Sequence, residues 1–265
     1  MYNAFQLGKK YLQYYWHAHN GQGHGVHSPF VFEFIIKVLN DKKAYDCYTP
    51  IEQWRRQLLA NEQVLTIQDF GAGSRTGATK QRSVQSIAAA ALKPKKYAQL
   101  LHRMARFYAC NNIVELGTSL GVTSAYLASS PHTKQLHTLE GAPAIAELAA
   151  QGFQQLLLHN IHQVVGNFDD TFPALLQQSA AIDLLYIDGN HRYEPTIRYF
   201  EQAYPHLHEY SMVVFDDIHW SAEMEQAWQQ VIADERVTMT IDLFFIGIAL
   251  FRKDFKVKQH FAIRF

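Results

Sequence analysis

Three aspartates and two histidines stand at two strand-like endings, Ile187-Asp188-Gly189-Asn190-His191 and Phe215-Asp216-Asp217-Ile218-His219. If both strands run parallel in one sheet, their carboxyl ends emerge on the same edge, where ligands bind. Asp188, Asp216 and Asp217 would then converge, and carboxylates at one spot repel unless a cation or protons join them. Oxygen ligands suit Mg²⁺, which keeps waters or substrate oxygens in its shell. A histidine titrates near neutrality, so His191, just beyond Asp188, is the expected general base for a hydroxyl proton, with Asp188 to orient substrate or the amine of a bound cofactor. His219 is the lesser candidate.

An earlier turn has the makings of a cofactor site. In the run VELGTSLG (114–121), Glu115 lies in an apolar strand, and Gly117, Ser119 and Gly121 form the turn into a helix rich in small residues. Glycines let the backbone turn tightly and let a ligand approach the main chain, while the helix N-terminus offers unpaired N–H groups. Such a loop cradles a pyrophosphate or the amino-acid end of another adenosine cofactor. Glu140 closes the next strand, where a carboxylate accepts hydrogen bonds from ribose hydroxyls; the plainer alternative is a charge at the following helix N-terminus. Asn167, Phe168 and Asp169 follow the third strand, where a base can rest against an aromatic face and an amide or carboxylate. Asp170 reads as a helix cap.

These residues need a sheet to position them, and the chain supplies one. From residue 111 onward short apolar runs alternate with helical stretches: NIVEL, QLHTLE, HQVVG, IDLLYI and SMVVF. Strands alternating with helices build parallel βαβ units. TMTIDLFF and GIALFRKD have no helix between them, so the last two strands are expected to pair antiparallel. Before residue 110 the chain reads as helices (30–40, 51–63 and 96–109) and loops. The expected division is a helical N-terminal extension or lid, 1–95, and a catalytic domain, 96–265.

The series VELGTSLG, TLEG, GNFDD, DLLYIDGNH and VVFDD resembles a class I S-adenosylmethionine-dependent methyltransferase, closest to the catechol and caffeoyl-CoA O-methyltransferase branch. The resemblance covers roughly residues 100–252. It implies an α/β, Rossmann-like fold with a seven-stranded, mostly parallel sheet whose last strand is antiparallel. It also implies S-adenosylmethionine as cofactor. Gly117, Ser119 and Gly121 would border its methionine portion, Glu140 its ribose, and Asn167, Phe168 and Asp169 its adenine. In that branch a metal is held by an acidic residue after strand four and an acidic–amide pair after strand five. Here the pair is Asp216-Asp217, a carboxylate in place of the amide. The branch's general base, usually a lysine, falls at His191.

Composition removes other classes. Of 265 residues 48% are hydrophobic and 18% charged, enough for a core and too apolar for intrinsic disorder. Lys+Arg and Asp+Glu are both 24, which gives no electrostatic footprint for nucleic acid or an anionic membrane. Two cysteines make no disulfide framework, and no apolar run is long enough to span a bilayer. The expectation is a cytoplasmic enzyme acting on a small-molecule acceptor, with no nucleic-acid or membrane partner; a homodimer is left open. Competing readings are an NAD-dependent Rossmann oxidoreductase, which would want G-x-G-x-x-G after the first strand, and a non-catalytic cofactor binder. The loop holding Gly71, Gly73 and Gly77 lacks a βαβ crossover and reads as accessory. His17, His19, His24 and His27 read as a loop or lid over the substrate edge, and the tail QHFAIRF packs on the core or on a neighbour.

Overall fold

The computed structural model describes residues 1–69 and 78–265. The loop with Gly71, Gly73 and Gly77 therefore lies outside the described residues. The chain folds into two compact units, Met1–Asp41 with Ala180–Phe265, and Lys42–Ser179.

The first unit opens with α1 (Ala4–His17), started by a capping box in which Asn3 and Gln6 satisfy each other's backbone N–H groups. A glycine-bearing turn leads to α2 (Pro29–Phe34), capped by Ser28 and continued by a π-helical turn, Ile35–Leu39. The expected single helix over 30–40 is thus two kinds of helix end to end.

The second unit begins with α3 (Tyr48–Ala60) and an antiparallel hairpin of β1 (Val64–Asp69) and β2 (Ala78–Ser83). Next come α4 (Val84–Ala91), capped by Ser83, and α5 (Lys95–Phe107). Then β3 (Asn112–Leu116), α6 (Val122–Ala128), β4 (Gln135–Glu140), α7 (Pro143–Gln155), β5 (Ile161–Val165) and α8 (Phe168–Leu176) alternate. β3 pairs parallel with β4, Val114 opposite His137, and β4 pairs parallel with β5, Leu139 opposite Val164. Trp54, Leu58, Ile87, Leu120, Val122 and Tyr126 belong to one buried apolar cluster of this unit.

The first unit resumes with β6 (Ile182–Ile187), α9 (Tyr193–Ala203), a 3-10 turn and β7 (Leu207–Asp216). It ends with α10 (Ala222–Ala233), β8 (Met239–Asp242), β9 (Ile246–Leu250) and β10 (Gln259–Ala262). β6 and β7 run parallel, whereas β9 runs antiparallel to both β7 and β8. The antiparallel ending expected from TMTIDLFF and GIALFRKD is therefore present. Among the described residues the strands expected for the sheet are extended by one. The extra one is β10, parallel to β8, formed because the tail alternates and its Phe261 and Ile263 are buried.

Candidate functional site

In the second unit, β3 delivers a turn that only an unusual backbone can make. Gly117, Ser119 and Gly121 all have positive φ, at 112°, 47° and 77°. Gly117 and Thr118 donate their N–H groups to Leu139 O, 3.0 Å each, which ties the turn to the neighbouring strand. Gly121 has a second reason to lack a side chain: a Cβ there would lie 2.7 Å from the Phe153 ring. Three residues of positive φ in five fold the chain back tightly, and the N–H groups of Gly117, Thr118, Ser119 and Gly121 are held by Leu139 O, the Glu140 carboxylate and Thr118 O.

Glu140 is bound to that turn. Its Oε2 accepts from Ser119 N at 2.8 Å, and its Oε1 accepts from Ala142 N at 2.9 Å. Burial pushes its pKa up, and the backbone N–H groups of Ala142, Ser119 and Gly141 oppose the rise. The plainer alternative, a contact at the following helix N-terminus, is thus present. Glu115 is fully buried: Oε2 accepts from Ser124 Oγ and, at 2.7 Å, from Thr138 Oγ1. Its Oε1 has no hydrogen-bond partner among the described residues, and burial pushes the carboxyl up to about 7. Nothing in the sequence marked Ser124 or Thr138 as its partners. After β5, the cap of α8 is Asn167, whose side chain accepts from Asp169 N at 3.1 Å. Asp170, expected to cap, instead joins Asp169 in the first turn, where a carboxylate favours the helix dipole.

The first unit holds the second cluster. Ligand atoms of Asp188, His191 and Asp216 lie within 4.8 Å of one another, the one such convergence of three or more metal-ligating side chains among the described residues. His191 Nε2 is 3.5 Å from Asp188 Oδ1, and Tyr186 Oη donates to Asp188 Oδ2 at 3.0 Å. The loop between them is strained: Asn190 and His191 both have positive φ, 66° and 27°. Asn190 is held there by donating from Nδ2 to Tyr199 Oη at 2.6 Å. Such strain persists only where surroundings over-determine it and clusters at functional sites. The alternation of a strand places Tyr186 and Asp188 on one face, so a period-2 reading of IDLLYID was the available signal for this partner.

Asp217 is not in that group. Its φ of 52° turns the chain sharply, so consecutive side chains diverge, and its N–H donates to Phe245 O at 2.7 Å. It lines a small recess with Leu7, His219, Trp220, Phe244 and Phe245. His219 has both ring nitrogens committed, Nδ1 to Glu225 at 3.2 Å and Nε2 to Asp242 at 2.8 Å. Burial works against its charge, but the two carboxylates prevail and raise its pKa. A ring so engaged is held in place by its two carboxylate partners. His17, His19, His24 and His27 are all exposed, and they form no ligand group among the described residues.

Two carboxylate oxygens and an imidazole nitrogen at this spacing suit a divalent cation, the nitrogen being acceptable to Mn²⁺ or Zn²⁺ and less so to Mg²⁺. A glycine-bearing turn that follows a strand suits the close approach of a small polar cofactor.

Residues 114–218 match the family described as a methyltransferase domain. An uncharacterised protein, R132 of Acanthamoeba polyphaga mimivirus, is 36% identical over 66 residues, covering 24% of this chain and 30% of that protein. The chain thus matches about a third of the length of that curated relative. Among solved structures, cofactor-bound Rv0187 from MTB superposes with a TM-score of 0.58 at 18% identity, over 85% of this chain and 98% of that one. The O-methyltransferase TomG from Streptomyces achromogenes, in complex with SAM and involved in tomaymycin synthesis, gives 0.54 at 20% identity, over 84% and 95%.

Proposed function

We propose that this chain, whose residues 114–218 match a methyltransferase domain and whose fold is Rossmann-like α/β, transfers a methyl group from S-adenosylmethionine to an oxygen of a small-molecule acceptor. The observation that carries this reading is the left-handed turn at Gly117, Ser119 and Gly121 with Glu140 hydrogen-bonded to it.

In this reading the turn and the carboxylates of Glu115 and Glu140 receive the polar end and the ribose of the cofactor. Asn167, Phe168 and Asp169 border its base. The cofactor supplies a methyl already activated on a sulfonium, so the protein's task is alignment of the acceptor and removal of its proton. His191 accepts that proton at Nε2, and Asp188, 3.5 Å away, stabilises the imidazolium that results. Asp188 and Asp216 would hold a divalent cation such as Mg²⁺, which would supply a lowered pKa to an acceptor hydroxyl. Asp217 is left out of that shell because its side chain belongs to a different recess.

Calorimetric titration with S-adenosylhomocysteine, with and without Mg²⁺ and with NADH as control, tests the reading. Micromolar binding of S-adenosylhomocysteine is expected, together with a heat of Mg²⁺ binding that Asp216→Asn removes. Binding of NADH in its place, or of neither, would overturn the transferase reading.

A further inference from the structure

The first helix leaves its most apolar side bare. Along α1, Phe5 and Trp16 are each 82% exposed and Leu12 is 70% exposed. At 100° per residue these three fall within one narrow sector of the helix. Lys9, also exposed, lies at its border.

The opposite side of the same helix is fastened down. Lys10 Nζ pairs with Glu225 at 2.9 Å, and Tyr2 Oη donates to the same carboxylate at 2.8 Å. Tyr11 packs edge-on against Phe244 with ring centroids 5.0 Å apart, and Tyr14 Oη donates to Ile263 O. The bare stripe is therefore not a helix awaiting its own core; its core contacts are made.

Charge says what the stripe faces. Residues 1–32 contain no Asp or Glu, and the first carboxylate in the sequence is Glu33. Beside the C-terminal end of α1, Arg264 donates from Nε to Tyr15 O at 2.7 Å, its guanidinium 4.6 Å from the Tyr15 ring centroid. An apolar and aromatic stripe bordered by Lys9, with Arg264 beside the helix end and no acid in residues 1–32, makes the pattern of an interfacial helix. A symmetric dimer through this face would set basic segments against each other with no carboxylate on the helix to answer them. Phe5, Leu12 and Trp16 together offer about 400–500 Å² of apolar surface, well under the roughly 800 Å² that each partner contributes to a stable interface.

We propose that the α1 face carrying Phe5, Leu12 and Trp16 docks on an anionic lipid bilayer, the helix lying in the plane of the headgroups with Lys9 and Arg264 toward the phosphates. This inference is independent of the proposed reaction, and it departs from the expectation of no membrane partner drawn from the balanced overall charge, because the basic residues concerned are local to one helix face. No helix among the described residues is long and apolar enough to cross a membrane, so the attachment is peripheral.

Flotation of the full chain with phosphatidylcholine vesicles, with and without phosphatidylglycerol, tests it. The expected results are binding to the phosphatidylglycerol vesicles that weakens with salt, and a blue shift of tryptophan emission. The Phe5→Ser, Leu12→Ser, Trp16→Ser triple variant should bind about tenfold more weakly or worse, with an unchanged melting temperature because all three side chains are exposed. Lys9→Glu should weaken binding to the anionic vesicles while leaving the melt unchanged. Failure of the wild type to float with phosphatidylglycerol vesicles overturns the proposal, as does equal binding by the triple variant. A dimer seen by light scattering, split by the triple variant while vesicles are ignored, reassigns the face to contact between copies.

Discussion

Tyr186 and Asp188 lie two residues apart on one strand face, and the tyrosine hydroxyl donates to Asp188 Oδ2 at 3.0 Å, leaving Oδ1 toward His191. Tyr186 is fully buried, so this hydrogen bond fixes the carboxylate from beneath. Asp188 thus meets a ligand with one rotamer already chosen.

Removing that hydroxyl is expected to loosen the cluster without emptying it. Tyr186→Phe should weaken Mg²⁺ or Mn²⁺ binding by about tenfold, the usual effect of losing a group that orients a ligand. Calorimetry reads this directly, and S-adenosylhomocysteine affinity should stay the same. Unchanged metal affinity would mean that Asp188 needs no such support.

Glu140 serves the turn and, by proposal, the cofactor, and two variants separate those roles. Glu140→Ala loses both and should weaken S-adenosylhomocysteine binding by about tenfold or more, given hydrogen bonds to a charged group of about 1.5–3 kcal/mol each. Glu140→Gln keeps an acceptor for one backbone N–H and should fall between. If Glu140→Ala binds like wild type, the second strand does not contact the cofactor.

His191→Ala should leave S-adenosylhomocysteine binding intact and slow transfer by about a hundredfold or more, the range for losing a general base. Once an acceptor is identified, its signature is loss of the acidic limb of the pH–rate profile. A variant with full turnover and the wild-type profile would remove His191 from proton transfer.

Glu115 makes stability depend on pH in a stated direction. Its carboxyl is raised by burial from 4.5 to about 7, so the folded state holds its proton more tightly than the unfolded state does. The stabilisation from that proton is complete below pH 4.5 and is lost as pH rises to about 7, a change of up to about 3 kcal/mol. Glu115→Gln cannot ionise, so its stability relative to wild type should improve between pH 5 and pH 8 in urea denaturation. Parallel curves for the two proteins would refute the assignment.

Much of this molecule was legible because strands and glycine turns leave local marks. NIVEL, QLHTLE and IDLLYI became β3, β4 and β6 within a residue, since each is short, apolar and bounded by turn residues. The convergence of Asp188 and Asp216 followed from strand endings. The exclusion of Asp217 did not, because it depends on a positive φ that an aspartate rarely adopts. The Ser124 and Thr138 contacts of Glu115 were hidden for another reason. They join residues distant in sequence, and any buried carboxylate would recruit whichever hydroxyls its neighbours bring. The exposure of Phe5, Leu12 and Trp16 was equally invisible, since helical periodicity shows which residues share a face and not whether that face is covered.

The extra strand has a consequence for how the protein behaves in concentrated solution. β8 is a four-residue strand buried along its whole length, and β10 pairs with its outer side. Without β10, the N–H and C=O groups of β8 would be open to any passing chain, a template for ordered aggregation. β10 takes the outermost position with Gln259 and His260 exposed and Lys258 just before it. Those polar residues make a poor seed for further strands, so the last few residues of the sheet act as its guard against self-association.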